Sequence, residues 1–248
     1  MTTLLRSELI KLRTTRTFVA LAALAAGLSL LLTVLTGVLT DPTRDEIVTS
    51  VFANDTSSAF ILVLAVIGIT GEWRHRTITG ALLAAPDRLR FLGAKTIAFA
   101  GAGVALSLLI SAAVTIVGLL IVAVRGLPSP DAGELLEFIA RSAGLAALLG
   151  AFGVGLGALI RNQVGAVVAV LAGTFMLEPI LLAVVPEAGR YGPFVALPTS
   201  ASGIDPEAVG LEEAGLLAPE PATLLLLGWI ALAFAAGCAA LRARDVES

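Results

Sequence analysis

Apolar residues dominate this chain in six long runs, each separated from the next by a more polar segment. A helix needs about 20 mostly apolar residues to cross the roughly 30 Å hydrocarbon core of a bilayer. The pattern therefore predicts an all-α polytopic membrane protein, with six transmembrane helices in a single domain. The predicted spans are TM1 17–40, TM2 52–71, TM3 96–124, TM4 142–160, TM5 164–185 and TM6 222–241.

The polar segments differ in character. Residues 1–16 are basic and amphipathic, which predicts a helix lying in the headgroup region beside anionic lipid. The alternative is a positive flank that only fixes topology. Residues 125–141 predict a loop followed by an interfacial helix, with Asp131 near its N-cap. Residues 186–221 are acidic and rich in Pro and Gly, and their first part, 192–203, is apolar enough to dip into the interface.

The segment 71–95 interrupts the apolar pattern with a polar, mostly cationic stretch that is too long for a tight turn. Within it, small or apolar residues recur with helical spacing and share one face: Ile78, Ala81, Leu82 and Ala85. Pro86 ends this predicted helix, because proline has no N–H to donate and restricts the residue before it. A short amphipathic helix flanked by cations can contact both the bilayer surface and another protein.

The distribution of charge predicts the orientation. The chain is 57% hydrophobic and 14% charged, whereas soluble domains carry about 25% charged residues. If both termini are cytoplasmic, twelve of the sixteen Lys and Arg residues face the cytoplasm. The positive-inside rule then places the termini and segment 71–95 on that side. Abundant Ala, Gly, Val and Arg with scarce Lys is typical of a GC-rich bacterial genome, so we expect a bacterial cytoplasmic membrane.

Residues that carry enzymatic chemistry are scarce in the sequence. It has no GxxxxGK[ST] phosphate loop, one cysteine (Cys238) and one histidine (His75), so we expect no catalytic, cofactor-binding or metal site. Ionisable residues inside spans usually mark ion or proton routes. Here they are Glu178, near the outer end of TM5, and Asp55, near the outer end of TM2. This argues against a proton-coupled transporter with a buried carboxylate relay.

Gly153 and Gly157 in TM4 have the small-xxx-small spacing that lets helices approach closely. The surrounding GVGLG also looks like a nucleotide-binding loop, but it lies in the middle of a span with no preceding strand. We interpret both glycines as helix-packing residues, with a subunit interface as the alternative.

Two stretches resemble the ABC-2 type transporter permeases. SELIKLRTTRTF resembles the family's N-terminal elbow, and GEWRHRTITGALLAAPDRLRFLGAK resembles its TM2–TM3 loop. In that loop an acidic and a basic residue precede a Thr-Ile pair and a short helix, followed by Pro, Arg and Lys. The matching positions here are Glu72, Arg74, Thr77, Ile78, Pro86, Arg88 and Lys95. The family often has Gly beside the Thr-Ile pair, where this chain has Arg76.

The resemblance implies an ABC exporter built from two permease subunits, as a homo- or heterodimer, and two ATP-binding subunits that hold the ATP. Substrate would move between the permeases along TM2 and TM5, and the stretch after Pro186 would form an outer re-entrant or capping element. The loop 72–95 would couple to the ATPase, through Glu72, Arg74, Thr77, Ile78, Ala81, Leu82, Pro86 and Arg88. The interfacial elbow would carry Arg6, Lys11, Arg13 and Arg16.

The residues themselves lead to a compatible expectation. A chain without energy-transducing residues, but with a cationic amphipathic helix on the cytoplasmic side, needs a partner to do work. Walls of Leu, Val, Ala and Phe favour a hydrophobic or amphipathic substrate, and we expect no nucleic-acid partner. The alternative is a membrane interaction protein that does not transport, such as an immunity or regulatory subunit. An intramembrane enzyme or ion channel is disfavoured, because the spans hold few polar residues.

Overall fold

The computed structural model describes residues 2–80, 87–160, 162–204, 206, 210–211 and 214–243. Six of its helices are long and apolar enough to cross a membrane, and the described residues contain no β-strand. The predicted all-α, six-span architecture is therefore confirmed.

An amphipathic helix precedes the spans, and the segment between the last two spans contains a single helical turn, Pro186–Gly189, followed by a short helix. The N-terminal helix is α1 (Thr2–Thr14). The spans are α2 (Arg16–Leu39), α3 (Ser57–Arg74), α4 (Arg88–Arg125), α5 (Ala132–Leu159), α6 (Gln163–Val184) and α8 (Pro219–Ala243). The short helix is α7 (Ala196–Ser202).

Helix α5 lies at the centre of the bundle, packed along α3 and α4 and against α8. In its most apolar stretch 67% of the residues are buried, compared with 17% in α2. Glycines make this packing possible, because a Cβ at Gly153 would lie 2.5 Å from the Leu62 carbonyl oxygen. A Cβ at Gly157 would lie 2.1 Å from Ile69 Cγ2. Both glycines thus face α3 within the chain.

Helices α4 and α5 begin earlier than the predicted spans because each starts at an aspartate N-cap. Oδ1 of Asp87 accepts two backbone N–H groups, at 3.0 and 3.3 Å. Oδ1 of Asp131 does the same at 2.8 and 3.1 Å. From Asp131 the helix continues without interruption into the bundle. The prediction of a separate interfacial helix within 125–141 is therefore wrong, since residues 132–141 form the first turns of α5, while 126–131 form the predicted loop.

The second span is interrupted. A π-helical turn, Val48–Phe52, is followed by non-helical residues 53–56 before α3 begins at Ser57. Non-helical backbone at membrane depth is tolerated where protein groups satisfy it. Here the Thr56 N–H donates to Ser29 Oγ at 3.0 Å, so α2 supplies one of the missing acceptors.

Asp55 lies in this interruption, deep in the bundle. Its Oδ2 accepts hydrogen bonds from Ser107 Oγ at 2.5 Å and Ser111 Oγ at 2.9 Å. Those serines lie near the middle of α4, on the order of 20 Å from Lys95 and from Arg125 at 1.5 Å per residue. Asp55 therefore lies farther inside the span than the predicted start at residue 52 implies, because Val48–Phe52 extends the span beyond it.

Glu178 fixes the segment that follows α6. Its carboxylate accepts the backbone N–H groups of Phe194, Val195 and Ala196 at 2.7–2.8 Å. These donors lie at the start of α7, where a carboxylate is favourable. Helix α7 then packs against α5 and α8, so segment 192–203 folds back onto the bundle.

We predict that Gly153→Ala destabilises the protein while Gly144→Ala does not. The new methyl group at position 153 meets a backbone oxygen that cannot move aside, and such overpacking costs about 1–3 kcal/mol. Gly144 lies on the same helix with nothing within 4 Å of its added Cβ. There alanine improves helix propensity by up to about 1 kcal/mol. Thermal melts of the purified variants test this, and equal melting temperatures would contradict it.

Candidate functional site

Helix α1 meets both ends of the α3–α4 connection at the end of the bundle that carries the termini, which we call the N-face. Four charged side chains form a cluster there, which we call the N-face cluster. Glu8 and Lys11 come from α1, Glu72 from the last turn of α3, and Lys95 from the second turn of α4. Two acids and two bases make the cluster neutral.

Lys95 is the most buried member, with 1% of its side chain exposed. Its Nζ lies 2.7 Å from Glu8 Oε2 and 3.0 Å from Glu72 Oε1. Lys11 Nζ bridges the same two carboxylates, at 2.9 Å from each. Thr77 Oγ1 donates to the other oxygen of Glu72. Every buried charge of the cluster is thus paired, as the low-dielectric interior requires.

The amphipathic sequence of α1 explains why it docks here. Glu8 and Lys11 are three residues apart and therefore lie on one face of the helix. Leu12 adjoins them and packs into the same apolar core as Ile78 and Leu92. The remaining cations of the predicted elbow stay exposed: Arg6, Arg13 and Arg16.

The half-exposed Lys11 stays protonated in this setting. Burial alone would lower the pKa of its ammonium group, but hydrogen bonds and charge attraction from Glu72 and Glu8 outweigh burial and raise the pKa. A lysine whose pKa rises on folding stabilises the fold below its ordinary pKa. That contribution is lost only as the pH rises through the raised value, so the cluster is intact at neutral pH.

The predicted coupling residues divide into three groups. Glu72 and Ile78 are buried within the chain, and the exposed Thr77 donates a hydrogen bond to Glu72. Arg74 and Arg88 link helices: Arg74 Nη1 donates to Gln163 Oε1 at 3.2 Å, and Arg88 donates to the Leu241 carbonyl of α8. The third group lies outside the described residues and consists of Ala81, Leu82 and Pro86.

Sequence reasoning missed the burial of Glu8 and Lys95. Glu8 belongs to the basic segment 1–16 and Lys95 to the polar segment 71–95, and neither lies in a long apolar run. One local signal was present, because Glu8 and Lys11 form an i, i+3 pair beside Leu12. The partners on α3 and α4 are 61 and 87 residues away along the chain, beyond the reach of any periodicity.

Arg76 closes the α3 helix in an unusual conformation. Its φ of 56° makes it the one non-glycine residue with positive φ in the described part of the chain. Helices commonly end on a left-handed residue, and glycine is preferred there because it has no Cβ. Arg76 therefore adopts the left-handed conformation at a local conformational cost.

No protein-family model matches this chain, and no functionally characterised protein shows significant sequence similarity to it. The fold defines the class of protein: an all-α, multi-pass membrane protein whose N-terminal helix is joined to its second and third spans by buried ion pairs.

We predict that Lys95→Met strongly destabilises the protein. The change leaves Glu8 and Glu72 with only the half-exposed Lys11, and breaking a buried ion pair costs about 3–5 kcal/mol. Arg90→Met is the matched control, because Arg90 is on the same helix in an exposed pair with Asp87 that is worth at most about 1 kcal/mol.

Thermal or denaturant unfolding in detergent measures the difference between the two variants. Adding Glu8→Gln to Lys95→Met should restore part of the loss, since it removes one poorly compensated carboxylate. An equal effect of Lys95→Met and Arg90→Met would contradict the N-face cluster.

We predict that Arg76→Gly stabilises the protein by up to about 1 kcal/mol. Glycine removes the Cβ strain of the left-handed conformation, which costs an ordinary residue about 1–2 kcal/mol, against its larger entropy loss on folding. Arg74→Gly should destabilise, because position 74 is helical. A lower melting temperature for Arg76→Gly than for the unmodified protein would refute this reading of the turn.

Proposed function

We propose that this chain is the permease subunit of an ATP-driven exporter in a bacterial cytoplasmic membrane. It would act with a second permease subunit, in a homo- or heterodimer, and with separate ATP-binding subunits. The observation that supports this most directly is the N-face cluster. It joins the elbow-like helix α1 to both ends of the α3–α4 connection, where the resemblance implies contact with the ATPase.

Coupling requires that both ends of the α3–α4 connection be fixed to the helices they join, and the N-face cluster fixes them. Glu72 holds the end of α3 and Lys95 the start of α4, with α1 bound to both. The connection is therefore anchored at each end. A partner that displaces the α3–α4 connection would therefore move α3 and α4 with it, because the buried ion pairs hold the two helix ends together. The Arg88 contact with α8 extends this link to the last span.

The charges of the N-face supply a surface for a partner and for lipid. Exposed arginines of α1, of the start of α2 and of the facing ends of α3 and α4 lie on the N-face: Arg6, Arg13, Arg16, Arg74, Arg76 and Arg90. Such a rim complements an acidic protein surface and the anionic headgroups of a cytoplasmic leaflet. Both termini would accordingly face the cytoplasm.

The outer surfaces of α2 and α6 fit a membrane subunit that pairs with another. Both helices carry many exposed apolar side chains, among them Leu31 and Phe175 at 61% and 76% exposure. Lipid and a second permease would cover these faces. A pathway formed between two such apolar faces would suit a hydrophobic or amphipathic cargo.

The proposal predicts a stable complex with an ATP-binding subunit that depends on the α3–α4 connection. Purification from host membranes in mild detergent should recover an ATPase in fixed ratio. Ala81→Glu or Leu82→Glu should remove that ATPase, or uncouple its activity from transport, while membrane insertion persists. Leu136→Glu is the control, because Leu136 is 67% exposed at the opposite end of the bundle.

Two results would contradict the proposal. One is a clean preparation that contains no ATPase, which would favour the non-transporting interaction protein considered from the sequence. The other is unchanged ATPase recovery and transport in both glutamate variants of the connection. Equal losses for Leu82→Glu and Leu136→Glu would instead trace the effect to misfolding and would also count against a coupling role.

A further inference from the structure

A groove lies beside the N-face cluster, and we call it the N-face groove. Its volume is about 540 Å³, within the range of roughly 300–1,000 Å³ that is typical of ligand pockets. Its lining comes from α1, the start of α2, α3, α4 and Gln163 at the start of α6. Part of that lining is exposed, including Thr15 and His75, so a ligand can reach the groove from outside the chain.

The lining of the N-face groove changes from polar to apolar with depth. On α3, Arg74 lies at the N-face and Leu64 about 15 Å deeper, at 1.5 Å per residue. On α4, Lys95 lies nearer the N-face than Phe99 does. Half of the roughly 30 Å hydrocarbon core is also about 15 Å. The groove therefore has the depth and the polarity gradient of one leaflet of a bilayer.

The charged groups beside the groove offer hydrogen-bond donors rather than acceptors. All four carboxylate oxygens of Glu8 and Glu72 already accept hydrogen bonds from side chains of the same chain. An ammonium group has three N–H donors, and Lys11 gives two of them to these carboxylates. Half of the Lys11 side chain is exposed, so its third donor is available to a ligand in the groove.

Arg74 gives the groove a net positive charge. The four charges of the N-face cluster cancel, whereas Arg74 makes no ion pair with any residue that the structure describes. Its Nη1 donates to the neutral side chain of Gln163. Arginine binds phosphate oxygens through strong, often bidentate, hydrogen bonds. A phosphodiester, with one negative charge and several acceptor oxygens, matches this surplus.

The deeper part of the groove has room for an apolar chain. Gly71 lies on α3 next to the polar end, and a Cβ added to it would meet only His75 Cδ2, at 3.9 Å. The missing side chain thus leaves open space at this point. Phe18 and Ile67 are half-buried and line the groove, so their remaining apolar surface is accessible to a ligand.

We propose that the N-face groove binds one anionic phospholipid. The headgroup phosphate would contact Arg74 and Lys11, and an acyl chain would cover Phe18 and Ile67. Phosphatidylglycerol fits best, because its single negative charge equals the surplus of the groove. Such a lipid would touch α1, α3 and α6 together and so strengthen their association. Binding requires only this chain and does not rest on the proposed exporter function.

The test titrates dioleoylphosphatidylglycerol into the delipidated, full-length protein in detergent and counts bound lipid by native mass spectrometry. One lipid should bind saturably and raise the melting temperature. Dioleoylphosphatidylcholine, which has the same chains but no net charge, should bind several-fold more weakly. Inorganic phosphate at millimolar concentration should not displace the lipid, because it lacks the acyl chain.

Gly71→Leu should abolish this saturable binding by filling the groove. The lipid-free protein should melt as the unmodified protein does, because the added side chain enters open space. Gly101→Leu is the matched control, since Gly101 is an exposed helical glycine on α4 with nothing within 4 Å of an added Cβ. That variant should bind phosphatidylglycerol normally.

Arg74→Gln provides a second variant that leaves the shape of the groove nearly unchanged. It should weaken phosphatidylglycerol binding several-fold and remove the preference over phosphatidylcholine. Arg90→Gln removes one charge from the same face outside the groove, where Arg90 pairs with Asp87, and should preserve the preference. Equal losses in both arginine variants would overturn the proposal, because they would indicate general attraction to a cationic surface.

Three other results would overturn the lipid site. They are equal affinity for the two lipids in the unmodified protein, unchanged binding in Gly71→Leu, and displacement by inorganic phosphate, which would indicate a site for soluble anions. The two proposals fail separately. Saturable phosphatidylglycerol binding by a protein that never recovers an ATPase would retain the site and reject the exporter. Recovery of an ATPase by a protein without that binding would reject the site alone.

Discussion

The buried contact between Lys95 and the carboxylates of Glu8 and Glu72 is the interaction on which the N-face of this protein depends. A lysine with 1% of its side chain exposed is stable only where opposite charges meet it closely. It receives them from two different helices, so its burial requires α1, α3 and α4 to converge. Such a cluster need not be more stable than an apolar core of the same size. What the cluster determines is the relative position of α1, α3 and α4, because the four charges can all be paired in only one arrangement of these helices.

Buried polar groups elsewhere in the bundle are likewise held by hydrogen bonds from neighbouring elements. Glu178 is buried because three backbone N–H groups at the start of α7 meet it. Glycines on α5 bring backbones so close that a single methyl group would collide with a carbonyl oxygen. Asp55 is held in the same way, since its carboxylate accepts the Ser57 N–H and the hydroxyls of Ser107 and Ser111. Among the described residues, Ser57 Oγ and Arg190 Nε are buried without a hydrogen-bond partner.

How far the sequence predicts this structure depends on the range of the interaction. The spans were predictable, because an apolar run of about 20 residues is a local property. Asp131 was recognisable as a cap for a similar local reason. The depth of Asp55 was not, because it depends on a π-turn and a break whose polar groups are satisfied by Ser29 on another helix. Nor was the N-face cluster, because Glu72 and Lys95 look like ordinary loop charges until α1 is placed against them.

The central claim is that the N-face cluster makes α1 and the two ends of the α3–α4 connection one rigid unit. The most direct test is the distance between spin labels at Ile10 on α1 and Leu89 on α4, both exposed, with Cys238 replaced by alanine. The account predicts one narrow distance distribution, which broadens when Lys95→Met is introduced. A broad distribution in the unmodified protein, or one that Lys95→Met leaves unchanged, would contradict it.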